Sequence, residues 1–168
     1  MPLNLLKKYN ELLDVLSMTL TNREESFLGV FNRDIVHNVS FTFRKKQINP
    51  TPLDGEIKMS VLFTHLTSTI TDKKTRSREF DLYRSIRLHW IKHHIEERKK
   101  DNVHVFSVKE PNGVRTYIYD VDEKYVIVLE PLRNKNEYYL LTAYPLRGKD
   151  AARNKFKKKY KRKLPEVL

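Results

Sequence analysis

The 168-residue chain carries 33 Lys and Arg against 21 Asp and Glu, a formal net charge of +12, with 39% hydrophobic and 11% aromatic residues. That is enough apolar material for one folded domain and too little length for two ordinary ones; the lack of cysteine excludes disulfides, thiolate chemistry and cysteine-ligated zinc. Lys and Glu interrupt the Leu residues of the N-terminal segment, so neither a signal peptide nor a membrane span is expected, and the reading is a soluble, cytoplasmic protein without a membrane partner.

In chain order, Leu5, Leu6, Tyr9, Leu12, Leu13, Leu16 and Leu20 recur at spacings of three and four and predict an amphipathic helix over 3–20. A second helix is expected within 22–38, where Phe27, Val30, Phe31 and Ile35 supply an apolar face weakened by Gly29. Alternation over 39–43 predicts a strand, and the two prolines and Asp-Gly of 45–56 predict a loop. The run 57–70 fits strand or helix; its His65 reads first as a hydrogen-bonded core residue. A polar connector follows, and then a helix over 81–100, capped by Asp81, with Tyr83, Ile86, Trp90, Ile91 and Ile95 on a buried stripe. Arg84, Arg87, His89, Lys92, His93 and His94 fall on its other side. His89 and His93, four apart, lack a third ligand, so no metal or other cofactor is expected.

Four runs rich in Val, Ile and Tyr come next, at 103–108, 114–121, 125–132 and 138–146. The turns between them are too short for crossover helices, which predicts a four-stranded antiparallel meander. A last helix from Asp150 carries Ala152, Phe156, Tyr160 and Leu164 as a narrow docking stripe. Between Arg147 and Lys163 ten cations face one acid, Asp150, so +9 of the +12 is concentrated there. Such density favours a polyanion, through counterion release, although a solvated basic helix accounts for the same run. The expected fold is α+β: N-terminal helices, the meander, and a C-terminal basic helix.

Strict alternation puts Tyr138, Leu140, Thr142 and Tyr144 on one side of the last strand, and Arg115, Tyr117 and Tyr119 on one side of the second. A concave face bearing Arg115, Thr142 and Tyr144 follows, within reach of Arg87 or Lys92 from the preceding helix. Such a set suits metal-free cleavage of RNA, in which the ribose 2′-hydroxyl attacks the adjacent phosphorus. Arg115 and Arg87 would clamp the phosphate, Thr142 would donate a hydrogen bond to it, and Tyr144 or His89 would handle protons. Lys92, Lys155, Lys158, Lys159 and Arg162 would hold the backbone. The same residue types describe a nucleic-acid-binding module that stacks bases on tyrosines, or an interaction protein whose basic helix meets an acidic partner.

The segments RSREFDLYRSIRLHWIKHHIEE, VRTYIYD, YVIVLE and YYLLTAYPL, followed by the basic RNKFKKKYKR, together resemble the phage-associated Barnase–EndoU–Colicin–RelE-like nucleases over residues 76–163. Members carry an Arg-containing helix with a Trp, an Arg at the head of a strand, and a strand ending in Thr-Ala before a basic helix. The resemblance implies a small α+β fold, metal-independent endoribonuclease activity, a role as toxin or mobile-element conflict effector, and a cognate inhibitor protein as partner. It points to Arg87, Trp90, Lys92, Arg115 and Thr142. This chain has His89 and His93 where members tend to have proline, so the resemblance gives those histidines no role. Residues 1–168 then form one domain, with 1–75 as extension or scaffold and 76–164 as the nuclease-like core.

Overall fold

The computed structural model describes residues 3–168. The helix expected over 3–20 is absent: only a 3₁₀ turn at Leu3–Leu6 forms, and the chain then runs irregularly to Thr19, with Asn10 at φ 70°. The Leu spacing is satisfied another way. The buried Asn4 amide accepts from the Asp14 N–H at 2.7 Å and donates to the Asp14 carbonyl at 2.8 Å, while Leu13 N–H donates to the Ile86 carbonyl and Trp90 Nε1 to the Glu11 carbonyl. Backbone groups that a helix would pair internally are paired with other elements instead. Leu13 and Val15 are buried, whereas Leu16 and Leu20 are exposed.

Helix α1 (Leu20–Phe31) starts where the Thr19 hydroxyl accepts from Asn22 N–H, buries Phe27, Val30 and Phe31, and runs into a π turn at Asn32–Val36. Strands β1 (Thr42–Phe43) and β2 (Lys46–Pro50) follow, so a strand stands where the prolines predicted only loop. The ambiguous run resolves into α2 (Met59–Thr67) and β3 (Ser68–Ile70), which pairs with β4 (Arg78–Phe80) in a small hairpin within the expected connector. Asp81 caps as expected, accepting from Arg84 N–H at 3.1 Å, but the helix breaks into α3 (Leu82–Ser85) and α4 (Leu88–Ile95). Trp90, Ile91 and Ile95 are buried, and so are His89 and His94, which the expected amphipathic wheel left on the polar side; Tyr83 is exposed.

The meander forms as β5 (Val103–Glu110), β6 (Gly113–Asp120), β7 (Tyr125–Pro131) and β8 (Glu137–Pro145), each antiparallel to the next. It is part of a larger, curled six-stranded sheet in the order β1-β2-β8-β7-β6-β5. Strand β2 lies parallel to β8, Gln47 opposite Glu137 and Pro50 opposite Leu140. Helices are thus interspersed with the strands rather than preceding them. One sheet face packs Ile118, Tyr125, Ile127, Leu129, Leu140 and Ala143 against residues of α1, α2 and α4. The other packs Phe106, Val108, Tyr117, Val126 and Val128 against Leu146 and Phe156. The single basic helix expected at the end is two, α5 (Gly148–Ala152) and α6 (Lys155–Lys161), with Asn154 between them at φ 50°. Phe156, 1% exposed, anchors α6 to the sheet; burying it contributes about 1.5–3 kcal/mol. Among the described residues no helix is long and apolar enough to cross a membrane.

Candidate functional site

A cleft of about 280 Å³ lies on the α6-covered face of the sheet, lined among others by Arg115, Tyr117, Thr142, Tyr144, Lys155 and Lys159. Regular alternation on β6 sets Arg115 beside Tyr117, as the sequence predicts. On β8 alternation fails: the register slips between Val128 and Leu129, which face Thr142 and Leu140, so Leu141 is an extra residue in the ladder. Tyr138 and Leu140 therefore belong to the helical core, as does Ala143, whereas Thr142 and Tyr144 turn to the cleft. The expected grouping of Tyr138, Leu140, Thr142 and Tyr144 on one face is corrected by this bulge. The conjunction of Arg115, Thr142 and Tyr144 survives only because of it.

The guanidinium that meets Thr142 is that of Arg84. Its Nη1 donates to Thr142 Oγ1 at 2.9 Å, and the group lies over the Tyr144 ring at 5.0 Å. Strand β2 ends opposite Leu140, and α3 approaches β8 beyond that point, which lets Arg84 reach around the edge. Asp81 Oδ2, 3.4 Å from Arg84 Nε, steadies the side chain from behind. With the Thr142 oxygen accepting from Arg84, its hydroxyl hydrogen is free to donate into the cleft. The signal for Arg84 was its place three residues after the capping Asp81, on the same polar side as Arg87.

Arg87 and Lys92 do not reach this site, because α4 packs on the opposite face of the sheet. Arg87 Nη1 donates to the Tyr83 carbonyl at 2.7 Å and its guanidinium lies over Trp90, while Lys92 pairs with Glu96 at 2.6 Å. Burial, more than its neighbours, depresses the Arg87 pKa below the usual guanidinium value. His89 is also on that side, bonded to the Lys8 carbonyl, so it cannot serve protons at Thr142. Of the expected backbone-holding cations, Lys155 and Lys159 line the cleft; Arg162 Nη2 stands 4.0 Å from Glu110 Oε2, and Lys158 points to solvent.

Glu110, which sequence reasoning passed over, closes the cleft at the end of β5. Its Oε1 accepts from Tyr117 Oη at 2.8 Å and from Lys159 Nζ. Burial pushes this carboxyl up, but the hydrogen bonds from Lys159 and Tyr117 outweigh it and hold Glu110 below the usual carboxylate range. Burial, then Glu110 itself, raises the Tyr117 phenol; burial also raises Tyr144, against the opposing charge of Arg84. Both phenols are therefore protonated donors at neutral pH. Arg115 Nη1 lies 2.9 Å from Glu130 Oε2 on β7 and is fixed there as one arm of a rigid pair. Three cations against Glu110 and the Glu130 carboxylate that pairs Arg115, with the protonated Tyr144 phenol and the free Thr142 hydroxyl hydrogen as donors, suit a phosphate-bearing ligand.

No protein-family model, curated protein or solved structure matches the chain.

Proposed function

We propose that the cleft beneath α6 binds the backbone of single-stranded RNA and cleaves it without a metal. The convergence of Arg115, Thr142 and Tyr144 with Lys155 and Lys159 in one cleft carries this reading. In the reaction, the 2′-oxygen bonds to phosphorus as the bond to the 5′-oxygen breaks. The 2′-hydroxyl proton passes to Oε2 of Glu110, and the Tyr144 phenol supplies a proton to the departing oxygen. Arg115 and the Thr142 hydroxyl receive the charge that builds on the phosphoryl oxygens, and Arg84 is the positioning residue for Thr142.

Incubation with RNA in EDTA tests this directly. The protein should cut RNA, Arg115→Ala should lose about 10²-fold or more in rate, and Glu110→Gln and Thr142→Ala should fall with it. All variants are expected to retain their cooperative melts. RNA left intact by the unaltered protein would end the cleavage reading.

One observation favours a second reading. Glu110 is already engaged by Lys159 and Tyr117, which weakens it as a base. On that reading the cleft holds RNA without cutting it, and salt-sensitive binding would persist where cleavage is absent.

A further inference from the structure

On the side of the sheet away from that cleft, a larger one of about 670 Å³ opens between the N-terminal turn and α4. Its walls carry Lys7, Lys8, Arg33, Lys92 and Arg98 against Asp34 and Glu96. Lys92 and Arg98 share Glu96, at 2.6 and 2.5 Å, and Arg33 holds Asp34 at 2.6 Å. Among the described residues, Lys7 and Lys8 have no such partner, so the surplus charge sits on the N-terminal segment.

The cleft also carries a flat aromatic platform. Tyr9 and His93 both line the cleft and stack with ring centroids 4.0 Å apart and planes 9° off parallel. Burial, then the neighbouring His94 and Arg98, push His93 down to about 4, so the stack is uncharged at neutral pH. His89, 5% exposed, also lines the cleft. Its Nε2 donates to the Lys8 carbonyl at 3.0 Å, which ties the lysine-bearing segment to α4.

We infer that this cleft binds a phosphorylated nucleotide, with its phosphate on Lys7 and Lys8 and its base extending the Tyr9–His93 stack. The two features match two parts of one ligand: cations for the phosphate and a flat neutral platform for the base. A free nucleotide and a phosphorylated RNA end share this chemistry. The inference does not depend on RNA cleavage, because the two clefts lie on opposite faces of the sheet.

Isothermal titration calorimetry on the full chain with AMP, adenosine, inorganic phosphate and a 5′-phosphorylated RNA trinucleotide separates the outcomes. AMP should saturate one site at least about tenfold more tightly than adenosine or phosphate. The Lys7→Ala/Lys8→Ala pair, on partly exposed side chains, should weaken AMP about tenfold, and His93→Ala should weaken AMP without changing phosphate binding. Arg115→Ala should bind AMP normally. A trinucleotide tighter than AMP assigns the site to an RNA end, and equal affinity assigns it to the free nucleotide. AMP no tighter than phosphate, unchanged affinity in the lysine pair, or AMP binding lost in Arg115→Ala would each overturn the inference.

Discussion

Asp120 is fully buried at the end of β6, yet its carboxylate has four donors: Tyr9 Oη at 2.6 Å, His94 Nε2 at 2.9 Å, Lys99 Nζ at 2.7 Å and Glu123 N–H at 3.2 Å. One side chain thus joins the N-terminal turn, α4, the loop after it and the β6–β7 turn. Burial alone would raise the Asp120 pKa; the hydrogen bonds from His94, Lys99 and Tyr9 outweigh it and depress the pKa far below the usual range. Asp120→Ala strips the partner from these donors and should cost about 3–5 kcal/mol, read as a lower urea midpoint with an unchanged slope. The sign of the pH effect follows from the depressed value. The Asp120 contribution is fully present above its unfolded pKa of about 4 and is lost as pH falls through the folded value. Melting temperature should therefore drop steeply below about pH 4, and less steeply in Asp120→Ala. None of this was legible beforehand: a helix wheel put His94 among solvated cations, and only the fold supplies its acceptor.

At the scale of elements, the four meander strands were readable because each is a run of Val, Ile and Tyr between turn-formers, and the structure moves their ends by a residue or two. Strand β2 was not. Its one buried aliphatic residue, Ile48, stands among Lys, Gln and Asn and ahead of Pro50, so no period of two emerges; its pairing with β8 makes it a strand. The bulge at Leu141 was hidden for a related reason, since an extra residue leaves no mark on composition yet reverses every face after it. The site was half legible: Arg115, Thr142, Tyr144, Lys155 and Lys159 converge, whereas Arg84 and Glu110 depend on how α3 and β5 end. Asn154 sets the break between α5 and α6 with a left-handed backbone. Asn154→Val should destabilise by about 1–2 kcal/mol in a denaturant titration, while Asn154→Gly should be near neutral. On the proposed reading, the Val variant should also weaken RNA binding, because α6 carries Lys155 and Lys159.

For the whole molecule, charge and topology pull in different directions. On the proposed reading, the basic surface concentrated at 147–163 draws the RNA to one end of the sheet, and the affinity should fall with salt. Replacing Lys155 and Lys159 by Ala should lower the slope of log affinity against log salt by about 0.7 for each phosphate no longer neutralised, as a filter-binding series from about 50 to 200 mM would show. Identical slopes would remove these lysines from the interface.

The parallel seam between β2 and β8 has a consequence in time rather than in space. About 90 residues separate Gln47 from Glu137, so during synthesis at ~5–20 residues per second the first strand waits roughly 5–20 s for its neighbour. Until then Ile48, Phe41 and Phe43, each buried in the finished protein, have no sheet to join. The nascent chain is exposed to misassociation during that interval, and the sheet is complete only when β8 emerges to join the N-terminal hairpin to the meander.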